Sequence, residues 1–284
     1  MYVKKRTEKK LLTWLLAAVM AVAMLFGSVG MTAVPVYAAE GDVSAVTVWD
    51  GTADTSWYNT TVKEFTITTP AQLAGLAQIV NHAADGIAID DFAGKTVRLG
   101  ADIYLNNTDS PKANEWDSIG KSVLISGDGT AGSVYEDTSF AGVFDGQGHY
   151  IYNIYTNHLS DQGERGDLFG TNEGTIMNLG VTGEVNSYRY AAGVVGVNYG
   201  TVEYCYTKCD ITANGGGGSR GSGGVVGTNY GVVQYCWSES NVYNGYRAAG
   251  GIVGNNASGS ESAGMIIGCW FTGYAESAAN ECKG

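Results

Sequence analysis

The sequence predicts an all-β fold, in the form of a parallel β-helix (β-solenoid) of about five coils with a short N-terminal capping helix. Similar segments recur at steps of 25–31 residues, which is too short for an independent domain. Each segment carries three short apolar patches, rich in β-branched and aromatic residues, between Gly and Asn turns. Units this small bury an apolar face only by stacking. A β-propeller needs about 40 residues per blade and is disfavoured.

The repeats lie in the second half of the chain, which holds 30 of the 42 glycines. Residues 168–179 read LFGTNEGTIMNL, 194–205 read VVGVNYGTVEYC, and 225–236 read VVGTNYGVVQYC. A fourth copy begins IVGNN at 252–256, and an earlier, divergent copy reads VFDGQGHYIYNI at 143–154. The predicted equivalent apolar positions are Phe144, Phe169, Val195, Val226 and Val253.

The turn residues repeat as well. One amide position recurs in every copy, and stacked amides can hydrogen-bond along the axis of a β stack. A glycine follows two residues later, which predicts a bend with positive φ. The amide position is Gln147, Asn172, Asn198, Asn229 and Asn256, and the glycines are Gly174, Gly200 and Gly231.

Residues 1–38 have the pattern of a signal peptide. A basic segment at 1–10 precedes an apolar run from Leu11 to Phe26, and cleavage is expected after Ala38. The alternative is an uncleaved anchor, which would be the chain's only contact with a membrane. The expected location is therefore secreted or at the cell surface.

Residues 39–139 are predicted to form an N-terminal cap and the first coil, and residues 140–284 the repeats. Thr69 to Gln72 form a capping box with proline at the first helical position. The helix that follows buries one face, ends before Gly86, and covers the open end of the stack. Residues 125–139 are a polar, Gly-rich excursion. Nothing after Ala275 resembles a cap, so we expect the C-terminal end to pair with further coils of a longer parent or with another chain.

The repeats resemble a known family. Residues 192–206 (AGVVGVNYGTVEYCY), 222–237 (SGGVVGTNYGVVQYCW) and 250–256 (GGIVGNN) are similar to GLUG-motif repeats. The segment TPAQLAGLAQIVN at 69–81 is similar to the opening of the same bacterial proteins, so the resemblance covers about residues 48–275. It implies a β-solenoid surface module of a Gram-positive bacterium, of a class often presumed to be adhesins. The repeat also occurs in IgA-cleaving metalloproteases.

The charge of the chain excludes nucleic acid as a partner. The formal charge is −12. Five of the 16 bases and one of the 28 acids lie in residues 1–38, which leaves 11 bases against 27 acids in the rest. Phosphate binding needs a basic footprint that this balance does not supply.

No catalytic, metal or cofactor site is predicted. His82, His149 and His158 lack the H-E-x-x-H spacing of a zinc protease. Glycoside hydrolysis needs paired carboxylates. The candidate acids are Asp145, Asp167, Glu173, Glu203, Asp210 and Glu239. Only Glu203 falls in a strand patch with neighbours in register, and those neighbours, Met177 and Gln234, are not acids.

The five cysteines are predicted to be structural. Cys205, Cys236 and Cys269 share one core-facing position and would stack at about 4.8 Å. Free thiols are favoured, while a disulfide between neighbours or a bound metal remains open. Cys209 and Cys282 lie off this row.

One pattern does not follow from packing. Arg189, Arg220 and Arg247 each lie seven residues before a repeat glycine, and Tyr199 and Tyr230 align at an outward turn. Arg and Tyr are rich in contact energy, so these five residues are the predicted surface for an extracellular glycan or host protein. The alternative is that the arginines pair with local carboxylates.

The predicted function is therefore an adhesin-like, secreted or cell-surface module that binds glycan or protein ligands on its lateral surface without catalysis. One alternative is a carbohydrate-active β-helix enzyme, either a polysaccharide lyase or a glycosidase. Another is an N-terminal fragment of a larger surface protein, such as an IgA-cleaving metalloprotease.

Overall fold

The computed structural model describes residues 46–126, 134–158, 166–215, 221–257 and 263–278. The predicted signal peptide lies outside these ranges. The described elements run in chain order as follows: β1 (Glu64–Ile67), α1 (Pro70–Val80), β2 (Thr96–Leu99), β3 (Ile103–Tyr104), β4 (Ser122–Ser126), β5 (Val134–Asp137), β6 (Val143–Asp145), β7 (Tyr150–His158), β8 (Phe169–Asn172), β9 (Thr175–Met177), β10 (Gly180–Ser187), β11 (Val195–Asn198), β12 (Thr201–Glu203), β13 (Tyr206–Ala213), β14 (Ser222–Gly223), β15 (Val226–Asn229), β16 (Val232–Gln234), β17 (Trp237–Ser238), β18 (Asn241–Asn244), β19 (Ala249–Gly250), β20 (Val253–Asn256), β21 (Met265–Ile267), β22 (Trp270–Phe271) and β23 (Tyr274–Ser277).

The strands form three long parallel sheets, which confirms the predicted all-β class. A seven-stranded sheet has the order β1-β2-β6-β9-β12-β16-β21, and a four-stranded sheet has the order β20-β15-β11-β8. An eight-stranded sheet runs β22-β17-β13-β10-β7-β3, with β18 and β23 beside them. Successive strands enter the sheets in rotation. β8, β9 and β10 join the four-, seven- and eight-stranded sheets in turn, and β11, β12 and β13 do the same.

The register of the sheets confirms the spacing of the later repeats. In the four-stranded sheet, Val195 pairs with both Phe169 and Val226. In the seven-stranded sheet, Val202 pairs with Ile176 and Val233. Residues one repeat apart in sequence are therefore neighbours across a ladder, and their inward side chains form one continuous core.

The divergent copy at 143–154 was aligned wrongly from the sequence. Phe144 pairs with Ile176 and not with Phe169. The residue that bridges to Phe169 is Ile119. Likewise Ile154 pairs with Gly183 after a register shift in β7, so it is not equivalent to Leu179. Phe144 and Gln147 have the spacing of Val195 and Asn198 in a repeat, but they belong to the next strand position.

The N-terminal helix forms as predicted. The Thr69 side chain accepts a hydrogen bond from Gln72 N, and the Gln72 side chain accepts one from Thr68 N. Leu73, Leu76 and Val80 are fully buried. The helix ends at Val80, well before Gly86. The segment before residue 140 also contributes two strands, β1 and β2, to the seven-stranded sheet.

The predicted polar excursion before Phe140 contains a hairpin. β4 and β5 pair antiparallel, unlike the other strand pairs of the described residues. Residues 127–133 between them lie outside the described ranges. The hairpin joins none of the three long sheets. Phe140, which follows it, is fully buried, and its ring lies 5.3 Å from that of Phe169.

The repeat glycines are required by close backbone approach and not by positive φ, contrary to the prediction. Positive φ values are absent from Gly174, Gly200 and Gly231. A Cβ on Gly200 would lie 2.0 Å from the carbonyl oxygen of Gly174, and one on Gly231 would lie 2.0 Å from that of Gly200. Each glycine thus lets two turns approach to backbone contact.

Candidate functional surface

The asparagine position forms a hydrogen-bonded ladder through four repeats. Asn172 Nδ2 donates to Asn198 Oδ1, Asn198 Nδ2 to Asn229 Oδ1, and Asn229 Nδ2 to Asn256 Oδ1, each at 2.8 Å. This confirms the predicted stacking of the amides. Gln147 is not a member, because its side chain bonds Asp145 within its own turn. The ladder fixes the turns that carry the adjacent tyrosines.

Two pairs of stacked tyrosines stand on the turns that flank the seven-stranded sheet. The Tyr199 and Tyr230 rings lie 5.0 Å apart at an interplanar angle of 9°, immediately after the asparagine ladder. The Tyr204 and Tyr235 rings lie 5.2 Å apart at 19°, just past β12 and β16. Tyr199 is 55% exposed, and Tyr204 and Tyr235 are half exposed. The first pair was predicted, and the second was not.

The second pair rests on an unusual backbone. Tyr204 and Tyr235 have φ of 52° and 53°, and Asn178 and Gly268 hold the same conformation in neighbouring repeats. Non-glycine residues adopt this region at a cost of about 1–2 kcal/mol. A glycine or asparagine would relieve that cost, as in the two neighbouring repeats. Tyrosine at this position therefore places an aromatic ring on the surface but strains the backbone.

Two of the predicted residues lie on either side of one strand, since Arg189 precedes β11 and Tyr199 follows it. The Arg189 guanidinium lies 5.4 Å from the centre of the Tyr188 ring. Arg247 is exposed, and its backbone N–H donates to Asn244 Oδ1. Arg220 lies outside the described residues.

The cysteine row lies in the core, as predicted. Cys205 and Cys236 are almost fully buried, and Cys236 N donates to Cys269 Sγ at 3.4 Å. Cys205, Cys209, Cys236 and Cys269 are all free thiols. Burial raises the pKa of the Cys209 thiol to about 12. Cys282 lies outside the described residues.

The acids considered for catalysis serve as hydrogen-bond acceptors. Asp145 accepts from Asn178 Nδ2, and buried Asp167 accepts from Ala192 N. Glu203 accepts a hydrogen bond from Gln234 Nε2 at 2.6 Å. Its neighbours in register are Gln234 and Met177, the non-acidic residues that were predicted. Among the described residues, no group of three His, Cys, Asp or Glu side chains is arranged to hold a metal ion.

The three histidines occupy peripheral positions. His149 Nδ1 lies 3.0 Å from Asp102 Oδ1, and His158 Nδ1 lies 3.7 Å from a Glu115 carboxylate oxygen. His82 follows helix α1 with a φ of 58°. None of these contacts differs from what a structural histidine makes.

An aromatic row crosses the outward face of the eight-stranded sheet, and sequence analysis missed it. Successive ring centroids are 4.7–6.1 Å apart. A repeat-aligned signal was present, since an aromatic residue follows each row cysteine at positions 206, 237 and 270. The row consists, in spatial order, of Tyr104, Tyr152, Tyr150, Tyr206, Trp237 and Trp270.

Polar side chains run beside this row. Side chains alternate between faces along β13, so Tyr206, Lys208 and Asp210 share the outward face. Lys208 Nζ lies 3.8 Å from Glu239 Oε2, and Asp210 accepts a hydrogen bond from Asn241 Nδ2 at 2.8 Å. The charges beside the aromatic row are thus engaged with one another.

A second charged pair lies farther along the same face. Lys112 Nζ lies 2.7 Å from Glu184 Oε1 and 5.3 Å from the centre of the Tyr155 ring. Partial burial alone would raise the pKa of Glu184, but the hydrogen bonds from Lys112 and Asn186 outweigh it and lower the pKa. Glu184 is therefore a carboxylate at neutral pH.

The last repeat exposes side chains that are buried elsewhere. Ile266 pairs in register with Val233 in the seven-stranded sheet. Val233 is fully buried, whereas Ile266 is 45% exposed. Its strand, β21, is the outermost of that sheet, and β20 is outermost in the four-stranded sheet. Apolar side chains and strand edges are therefore presented together at this end of the described sheets.

Comparison with known proteins identifies no family for the chain. No family model and no curated protein matches the chain. One similar solved structure is described as a putative immunoglobulin A1 protease from Bacteroides ovatus. It shares 18% identity and a TM-score of 0.42, over 72% of this chain and 64% of that one. The chain thus spans less than two thirds of that structure. Within the described residues, no helix has the length and apolar character to cross a bilayer.

Proposed function

We propose that the chain is an exported module of the GLUG-repeat type, folded as a parallel β-helix, that binds extracellular glycan or protein ligands on its lateral surface without catalysis. Export rests on the signal-peptide pattern of residues 1–38. The β-helix rests on the rotation of strands among three parallel sheets, at one repeat per step. Its location would be secreted or at the cell surface.

The observation that carries the binding proposal is the stacked pair Tyr199 and Tyr230. Buried positions of the same repeats hold small apolar residues, whereas these two large rings are placed outward on a turn held by the asparagine ladder. Stacking fixes both rings, so a ligand that contacts them loses little side-chain entropy on binding. Tyrosine is also among the residue types enriched where binding energy concentrates.

The test is a screen of residues 39–284 on arrays of glycans and extracellular matrix proteins. The variant Tyr199→Ser with Tyr230→Ser is expected to lose at least tenfold in affinity for the ligand found. Tyr243→Ser, at an exposed tyrosine of the eight-stranded sheet, is the matched control. Replacing Arg189, Arg220 and Arg247 by serine tests the predicted arginines separately. A ligand bound equally well by all variants contradicts this assignment.

We further propose that the end at β21 is covered in the working protein, either by further coils or by another chain. The exposed Ile266 supports this, because apolar ladder ends and free strand edges invite pairing. Sedimentation of residues 39–284 with and without Ile266→Lys tests pairing between copies. Loss of a dimer in the variant would support it, and a monomer in both would leave further coils as the cover.

A further inference from the structure

We propose that the aromatic row on the eight-stranded sheet is a second binding site, and that its ligand is a neutral glycan chain lying along the row. This inference rests on the proposed non-catalytic binding function but assigns a different face and one ligand class. The row is separate from Tyr199 and Tyr230, which flank the seven-stranded sheet.

The row is continuous, which is the first reason to treat it as one surface. Tyr104, Tyr152 and Tyr150 stack with centroids 4.7 and 5.3 Å apart. The contacts then turn edge-to-face, 6.0 Å from Tyr150 to Tyr206 and 5.3 Å from Tyr206 to Trp237. Tyr206 is only 8% exposed, so it links its neighbours in the row, and the partly exposed rings on either side of it are the ones that a ligand can contact.

Gly180 makes the row continuous. It lies between Tyr150 and Tyr206 in the ladder, pairing with both. A Cβ at this position would lie 2.2 Å from the Tyr150 ring. The missing side chain lets the Tyr150 ring lie over the glycine and reach Tyr206. If position 180 had only to shield the sheet from water, any apolar side chain would do so. Shielding of the sheet therefore does not explain a glycine there.

The exposed end of the row is suited to stacking against sugar. Trp270 lies on β22, the outermost described strand of the eight-stranded sheet, where it is 64% exposed, and its ring lies 6.1 Å from that of Trp237. A cover on the end at β21 would remove part of this exposure, so the site is tested on residues 39–284 alone. Indole is the largest aromatic surface a side chain offers, and its N–H can donate to a hydroxyl. The apolar C–H face of a pyranose can pack on such a ring while its hydroxyls reach the polar side chains alongside.

Those polar side chains favour an uncharged ligand. The two lysines on the face are each paired, Lys208 with Glu239 at 3.8 Å and Lys112 with Glu184 at 2.7 Å. An anionic glycan would have to break these pairs and approach a chain of net charge −12. Asp210 accepts one hydrogen bond from Asn241 and keeps its negative charge, so a cationic glycan is the competing ligand class that the test has to separate. Hydroxyl groups fit this face without displacing any pair.

The experiment is affinity electrophoresis of residues 39–284 in gels that contain hydroxyethyl cellulose, xylan or galactomannan. Polygalacturonate and chitosan serve as acidic and cationic arms. We expect retardation by at least one neutral polymer and by neither charged one. The Trp270→Ala variant is expected to bind the retarding polymer at least tenfold more weakly, and the Trp270→Phe variant to keep most of the affinity. Because Trp270 is largely exposed, the melting temperatures of both variants should stay close to that of the parent.

The outcomes separate this inference from the function on which it rests. No retardation by any neutral polymer, retardation by a charged polymer alone, or an unchanged Trp270→Ala variant would overturn the inference. If array ligands are still bound and are lost with Tyr199→Ser and Tyr230→Ser, the proposed function stands and only the aromatic site fails. If the row binds a protein and no neutral polymer, the ligand class is wrong.

Discussion

The side-chain amide of Asn198 donates to Oδ1 of Asn229 at 2.8 Å, although 31 residues separate the two in sequence. Both side chains are fully buried. Asn198 also accepts from Asn172 Nδ2 and donates to Gly200 O. A buried amide with partners on both sides ties three repeats together, so its contribution to stability should exceed that of a single exposed turn residue.

Replacing Asn198 with alanine is therefore expected to lower the free energy of unfolding by about 2–3 kcal/mol, because buried partners lose their hydrogen bonds. Asn256 is the matched control, since it occupies the same ladder position but is exposed. Asn256→Ala should cost less, about 1 kcal/mol, because it removes one acceptor of buried Asn229 but no buried side chain of its own. Urea unfolding followed by circular dichroism measures both. Equal losses in the two variants would mean that the ladder adds nothing to an ordinary turn.

Gly200→Ala is expected to destabilise the fold by about 3 kcal/mol or more. The added methyl would lie 2.0 Å from the Gly174 carbonyl oxygen, which is backbone and cannot move aside alone. Gly86→Ala is the control, because Gly86 has a φ of 71° and open space around its missing Cβ. It should lose only about 1–2 kcal/mol, from the conformational term. Thermal unfolding of both variants checks the order, and a milder effect at Gly200 would contradict the steric explanation.

Asn198 and Gly200 show how much of a turn can be predicted from residue types. Asparagine and glycine every 26–31 residues indicated stacked turns, and the ladder register of Val195 and Val226 agrees with that spacing. The reason for the glycine was not readable, because positive φ and close approach both select glycine. The Phe144 copy failed for a related cause. Its apolar residue three positions before an amide, Phe144 before Gln147, is a pattern short enough to occur in a neighbouring strand.

The aromatic row was missed because its members come from unequal places in the repeats. Tyr206, Trp237 and Trp270 align, but Tyr150 reaches the row only by lying over Gly180. Such a bridge depends on a side-chain direction that no spacing encodes.

Asp90 provides a test of the pH dependence of stability. Its carboxylate accepts hydrogen bonds from Tyr58 and Lys95 and so ties the segment before β1 to the turn before β2. Burial alone would raise the pKa of Asp90, but the hydrogen bonds from Lys95 and Tyr58 outweigh it and lower the pKa below 3.8. A carboxyl whose folded pKa is depressed stabilises the fold above its unfolded pKa, and this contribution is lost as the pH falls through the folded value.

At pH 7 we expect Asp90→Asn to lower the free energy of unfolding by about 1.5–3 kcal/mol, the usual contribution of hydrogen bonds to a charged group. The difference between parent and variant should shrink once the pH falls below about 3.8. Asp109→Asn is a control, because Asp109 is an exposed carboxylate in the same half of the chain. Urea titrations at several pH values measure this. A difference that is constant with pH would exclude the carboxylate as its source.

The buried thiols should react slowly with iodoacetamide in the native state. Burial raises the pKa of Cys209 to about 12 and also raises that of Cys236, so little thiolate exists at pH 8. The hydrogen bond with Cys236 raises the pKa of Cys269 as well, but Cys269 is only partly buried, so its exposure is the reason to expect it to react before the other three. Because Cys282 lies outside the described residues, labelling is best done in a Cys282→Ser background. Mass spectrometry after unfolding should then find four modified cysteines. Two modified cysteines would instead indicate a disulfide between two of the four, which would contradict the free thiols of the structure. Fast labelling of Cys236 in the native state would contradict its burial in a closed core.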